Sequence, residues 1–203
     1  MAQELDEQQP ASREMPGRGV NFTIVKNWDR TITSLQQSEG IESLALQIGF
    51  GLPSLVQTLN LEFPNNLTPH AERDATGEKN EDILSETIVV NERPLERLLV
   101  TAYPPSAKPT HTEMTKFNSG GEVILITEGE AEITYAPGVT GEFIPRSALK
   151  RERVCKGDLI LSTDAPNNWT KVLGDKFTFI YFVGNPNGPQ VYSAIPKEKI
   201  PVR

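Results

Sequence analysis

Apolar residues change their period along the chain. In the first third they recur mostly at helical spacing. Ile41, Leu44, Ala45 and Ile48 form one such stripe, and Leu52, Leu55, Val56 and Leu59 form another, with Pro53 placed where a helix starts. Trp28, Ile32 and Leu35 fit one face of a short helix with Asp29 in its first turn. The stretch VNFTIV at 20–25 alternates weakly and predicts a strand, and Leu59, Leu61 and Phe63 alternate as a strand reaching Phe63 would. From residue 83 the period becomes that of strands: ILSETIVV (83–90), LERLLVTAY (95–103), EVILIT (122–127), EAEITY (130–135), DLILS (158–162), NWTKVL (168–173) and KFTFIYFV (176–183). Glu128–Gly129 and Gly174–Asp175 read as tight turns between consecutive strands. No helix of crossover length separates these strands, so the pattern excludes a parallel α/β sheet and points to an antiparallel sandwich or barrel.

Alternation assigns faces. Glu122, Ile124 and Ile126 share one face of their strand, and Val123, Leu125 and Thr127 share the other. Phe177, Phe179 and Tyr181 likewise oppose Ile180 and Phe182. Two apolar faces on one strand mean that one lines an interior and the other meets a further layer. A carboxylate on such a face needs a partner, which makes Glu122 the first candidate for a functional group. Arg97 interrupts an apolar strand in the same way, and either binds a substrate carboxylate or pairs with a glutamate.

The ends and loops divide the chain. Residues 1–18 are charged and carry Pro10, Pro16 and Gly17, as a flexible tail does. Residues 19–82 form a mixed helix, strand and loop extension, whose last part (64–82) is polar and contains His70. Residues 83–190 carry the strands, and 191–203 form a C-terminal tail.

Composition narrows the class. Hydrophobic residues make up 37% of the 203 and charged residues 23%, which fits a globular protein. The net charge is −7, and the 20 Lys and Arg are scattered, so the concentrated basic face that nucleic acid requires is absent. The local run Arg146, Lys150, Arg151 and Arg153 reads as solvated surface. The single cysteine, Cys155, excludes an internal disulfide and reads as a small residue near a turn. No basic segment followed by an apolar run opens the chain, and no stretch reaches the ~18 apolar residues of a membrane span. The expected location is cytoplasmic, with no membrane partner.

The runs EVILITEGEAEITY and KGDLILSTDAPNNWTKV resemble the two motifs of the cupin superfamily. In the first motif a Glu is followed by six residues and a Gly, as are Glu122 and Gly129. The second motif opens on Gly-Asp, as Gly157–Asp158 do, and expects a histidine eleven residues on, where Asn168 stands. The resemblance covers residues 98–183, under half of the chain. It implies an all-β fold: a cupin-type antiparallel β-barrel (jelly-roll) with a partly helical N-terminal extension. It also implies a homodimer.

The family's metal positions are depleted here. One register puts Thr115 and Phe117 in its two leading histidine positions. A register with a short insertion puts His111 and Glu113 there, and suits the run PSAKPTHTE better. The second gives an inward quartet of His111, Glu113, Glu122 and Asn168. With only 2 histidines in the chain, a three-histidine centre is excluded. No cofactor is favoured, although one imidazole, two carboxylates and an amide are able to hold a divalent metal. Without metal, two nearby carboxylates separate in pKa, so one serves as acid and the other as base. His111 then shuttles protons, and Asn168 donates to an oxyanion. Tyr103, Arg97 and Tyr181 are the candidates for substrate contact, with Lys116 and Lys171 behind them. Trp169, adjoining Asn168, faces the opposite way and reads as packing. The leading expectation is a cofactor-independent enzyme acting on a small molecule: an isomerase, cyclase or lyase. The alternatives are a metal-dependent oxygenase with a reduced ligand set, and a non-catalytic cupin that binds a small molecule.

Overall fold

The computed structural model describes residues 20–69, 83–90, 92–104, 114–139, 143–184 and 191–195. Of these, 68–69, 93, 114–119, 168–170, 183–184 and 191–195 are described by their backbone alone. The chain opens with strand β1 (Phe22–Val25), followed by helices α1 (Ile32–Gln36), α2 (Ile41–Ile48) and α3 (Leu52–Asn60). Strands β2 (Thr68–Pro69), β3 (Ile83–Val90), β4 (Arg93–Ala102), β5 (Met114–Ser119) and β6 (Gly121–Tyr135) come next. A short 3₁₀ turn (Arg146–Ala148) precedes β7 (Lys150–Cys155), β8 (Leu159–Ser162), β9 (Asn167–Gly184) and β10 (Val191–Ile195).

The helices form where the apolar stripes lie. Ile41, Leu44, Ala45 and Ile48 are the buried residues of α2, and Leu52, Leu55, Thr58 and Leu59 those of α3, with Pro53 in its first turn. Asp29 sits before α1 instead of inside it. Its carboxylate accepts from the Thr31 backbone N–H at 3.0 Å and from the Thr31 hydroxyl at 2.6 Å, and so fixes the residue that caps the helix. The strand expected to reach Phe63 is absent. Leu59 belongs to α3, Leu61 is exposed, and Phe63 turns its ring under the Arg97 guanidinium.

All pairings among the described strands are antiparallel, in the order β1-β8-β6-β9-β4-β3-β2, with β7 on β6 and the β5–β10 pair on β9. Two of the expected hairpins are not hairpins. β6 runs unbroken through Glu128–Gly129, and β9 through Gly174–Asp175. The register between them slips at Ile126/Glu128 and at Glu128/Glu130, so both strands bulge at the same level. Gly129 takes a φ of +73°, and a Cβ there would collide with the Lys176 carbonyl oxygen. Gly129→Ala is therefore expected to cost roughly 2–3 kcal/mol in urea unfolding, from the left-handed backbone and the collision together. A loss under about 0.5 kcal/mol, the level of an ordinary surface change, would mean that the bulge does not need glycine.

The bulge also decides the architecture. Before it, β6 pairs β8 through Glu122–Leu125; beyond it, β6 pairs β7 through Glu130–Tyr135. The sheet thus folds over on itself, and the Phe22 ring of β1 stacks on Tyr135 at the far end of β6, 4.1 Å between centroids. It does not close. The order ends on β1 at one side and β2 at the other, so the expected jelly-roll barrel is corrected to an open, folded antiparallel sheet with a helical layer.

Two cores follow from the two faces. Val123, Leu125, Leu159, Leu161, Ile180 and Phe182 pack on the helices through residues such as Leu35, Leu44 and Leu55. On the inner face Phe22, Ile124, Ile126, Ile133, Ile160, Phe177 and Phe179 fill the fold.

Candidate functional site

Glu122 stands one residue inside β6, on the inner face. Its register partners are Ser162 on β8 and Val183 on β9, and Phe22 lies beyond Ser162 on β1. In the next row Ile124 has Ile160 on one side and Tyr181 on the other, with Leu98 of β4 beyond Tyr181. Glu122 is 6% exposed. The Asn167 amide donates to its Oε1 at 2.7 Å, and the Tyr181 hydroxyl donates to the same carboxyl. The Asn167 amide nitrogen also lies 3.4 Å from the Ser162 hydroxyl and 3.4 Å from the Ala165 carbonyl. Burial pushes the Glu122 carboxyl up to about 7, against the opposing pull of the hydrogen bonds from Asn167 and Tyr181. Both partners are neutral.

Asn167 was not among the residues singled out from the sequence. Counting from Gly157 reaches Asn168, whose backbone lies in β9 opposite Thr134, while Asn167 pairs with Tyr135 and turns its amide to Glu122. Two adjacent asparagines were a visible signal, but only the parity of β9 chooses between them. Ser162 is the other residue that sequence reasoning missed. His70, His111 and Glu113 lie outside the described residues, as do the side chains of Lys116, Asn168 and Trp169.

Of the residues expected to contact substrate, Tyr181 joins Glu122, and the other two do not. Arg97 pairs with Phe182 and therefore faces the helical layer, opposite to Glu122. Its guanidinium is ion-paired with Glu86 and donates to the carbonyls of Thr58 (3.3 Å), Leu61 (2.7 Å) and Glu62 (3.1 Å). It lies 4.0 Å from the Phe63 ring centroid. Those contacts tie the end of α3 to the sheet and leave it no part in the inner face. Tyr103 is exposed, one residue past the end of β4.

The Gly157–Asp158 pair is structural. Buried Asp158 accepts from the backbone N–H groups of Asn27 and Cys155, each at 3.0 Å, and from Lys26 Nζ at 3.1 Å. The Cys155 thiol is pushed up by burial and by Asp158, which opposes thiolate chemistry there.

The fold is remotely similar to parts of several solved structures. Solved structures that it resembles include the oxalate decarboxylase of Lactobacillus farciminis in its formate complex (TM-score 0.40, 15% identity), covering 63% of this chain and 33% of that one. Procruciferin, an 11S globulin from Brassica napus, matches with a TM-score of 0.38 and 16% identity over 63% of this chain and 30% of its own. The vicilin of Solanum melongena matches at 0.37 and 12% over 57% and 31%. The chain thus spans about a third of the length of these structures. No protein-family model matches it, and no curated protein does.

Among the described residues no group of three or more His, Cys, Asp or Glu side chains is placed to hold a metal. Nor do the described partners of Glu122 offer ligands, since Asn167 and Tyr181 meet its carboxyl with N–H and O–H donors instead of lone pairs. The expected isomerase or lyase is not borne out: the described partners of Glu122 are an amide and a phenol, and His111 and Glu113, the ionisable groups expected beside it, lie outside the described residues. No described helix is long and apolar enough to cross a membrane.

Proposed function

We propose that this chain is a non-catalytic small-molecule-binding module of cupin-like fold, whose ligand docks on the inner face of the sheet against Glu122. The observation that carries this reading is a buried carboxyl held by neutral donors, with no Lys or Arg among the described residues in contact with it. Such a group is stabilised by a ligand that brings a hydrogen-bond donor or a positive charge. The inner face around it is made apolar by Ile124, Ile126, Phe177 and Phe179. Tyr181, Leu98 and Ser85 are half-buried and continue the row outward from Ile124 across β9, β4 and β3. They suit the apolar body of a small amine or alcohol.

Three probes of one shape test the reading: benzylamine, benzyl alcohol and benzoate, titrated at pH 7 into protein labelled at its Ile and Leu methyl groups. Benzylamine is expected to shift the methyl resonances of Ile124, Ile160 and Leu98 most, benzyl alcohol less, and benzoate not at all. Silence of those methyls towards all three at millimolar concentration would sink the proposal, and so would a stronger response to benzoate than to benzylamine.

A further inference from the structure

Strand β2 covers the outer edge of β3 only at Leu84 and Ser85. From Glu86 to Val90 the described ladder of β3 is with β4 alone. Val90 pairs with Arg93, and Glu92 before it has a φ of +64°, as the second residue of a type I′ hairpin turn does. The pair that closes a two-residue hairpin is hydrogen-bonded, and open and hydrogen-bonded pairs alternate from there. Val90, Ile88 and Glu86 therefore direct their backbone groups to β4, whereas Thr87 and Val89 turn theirs outward. Both outward residues have exposed side chains, Val89 at 74%. Other edges of the sheet are blunted. On β7, Lys26 Nζ donates to the Arg153 carbonyl at 2.6 Å, and the Asp158 carboxylate accepts from the Cys155 N–H at 3.0 Å. The tip of β4 carries Pro94, which has no N–H. The stretch Thr87–Val90 has neither a proline nor a charge.

We infer that this edge of β3 is where a second copy of the chain docks, strand against strand and antiparallel, about a two-fold axis at Ile88. In that register Thr87 meets the partner's Val89, and Val89 meets the partner's Thr87. All four turn their backbone groups outward, so each pair exchanges N–H···O bonds in both directions. The side chains fit the same axis. Thr87 and Val89 stand on the inner face, where the β-branched pair covers the exposed Val89. Ile88, opposite Leu95, meets the partner's Ile88 on the face of the helices. Charge selects a copy over an acidic or a basic segment. Each chain carries a net −7, so two copies approach closely only through a neutral contact. Glu86, the one charged residue of 86–90, is held by Arg97 on β4. Strands β4 and β9 separate the edge from Glu122, and the contact owes nothing to a ligand there.

Sedimentation equilibrium of the full chain at about 100 μM, where a contact of modest area is populated, is expected to give twice the 22.5 kDa of one chain. Val89→Pro removes an outward N–H and leaves the β3–β4 ladder intact, and is expected to give the mass of one chain. Oxidative cross-linking reads the axis. In a Cys155→Ser background, Ile88→Cys sets two thiols across an open pair with Cα atoms ~4.5 Å apart, within disulfide reach, and is expected to link most of the protein. Thr87→Cys faces the partner's Val89 instead and is expected to link far less. If Val89→Pro does not fold, Val89→Lys, which sets a charge on the same edge, takes its place. A monomeric wild type at that concentration overturns the inference and leaves the edge to an unlike chain or to solvent. A dimer that survives the Val89 variants overturns it too, as does Thr87→Cys linking as well as Ile88→Cys.

Discussion

Glu122→Gln is expected to raise stability at pH 8.5 by about 3 kcal/mol, and to flatten most of the pH dependence that this site imposes. The sign follows from where the proton binds. In the unfolded chain the carboxyl has its ordinary value of 4.5, and in the folded protein burial raises it to about 7. Below 4.5 the group is protonated in both states, and the wild type has the full benefit. Between 4.5 and 7 the unfolded chain loses the proton first, so stability falls as pH rises. Above 7 both states are charged, and the folded state bears the whole penalty of a buried carboxylate. Glutamine keeps an acceptor for the Asn167 amide, has almost the same shape and never ionises. Urea unfolding of both proteins at pH 5 and pH 8.5 checks this. Parallel losses in the two proteins between those pH values would show that Glu122 is solvated after all.

Removal of the Arg97 guanidinium is expected to be the most damaging single change. Arg97→Met should cost about 3 kcal/mol, because it leaves a part-buried carboxylate unpaired and takes the donor from three backbone carbonyls at the end of α3. The guanidinium is 1% exposed and serves Glu86 through Nε at 2.6 Å as well as through its terminal nitrogen. It also serves the carbonyls of Thr58, Leu61 and Glu62. Arg97→Lys should recover little, since one ammonium cannot reproduce a planar fork that reaches four acceptors. Adding Glu86→Leu to Arg97→Met should return part of the loss by removing the orphaned carboxylate. Thermal melts of the single and double variants measure this. A double variant no better than Arg97→Met would place the damage in the α3 carbonyls instead of the ion pair.

Much of the secondary structure was legible because its causes are local. The stripe Ile41, Leu44, Ala45, Ile48 specified a helix, since a 3.6-residue period puts those four side chains on one side. The alternation in β6 separated Glu122, Ile124 and Ile126 from Val123 and Leu125, and the two sets do enter different cores. That Glu122 is a carboxyl on an apolar face was equally readable, as was its need for a partner.

What alternation alone leaves open is parity between strands, and the site turned on parity. Glycines at 129 and 174 read as hairpin turns because a turn and a bulge ask for the same positive φ. Only the ladder of β6 against β9 shows both strands continuing past them. The same bulges let β6 change neighbour from β8 to β7, which folds the sheet and leaves β1 and β2 as separate edges where a barrel was expected. Which of two adjacent asparagines meets Glu122 depends on how the segment after Ser162 delivers β9, a long-range matter that no count along the chain contains. Arg97 was ambiguous for the same reason: its face is fixed by its pairing with Phe182, 85 residues away in sequence, and that pairing turns it from the inner face to the helices. The sequence by itself determined the helices and the segments of β1, β3, β4, β6, β8 and β9, though not those of β2, β5, β7 and β10, and that one acid sits among apolar side chains. The tertiary structure decided which partners that acid has, because register and closure are set by contacts between residues far apart in the chain.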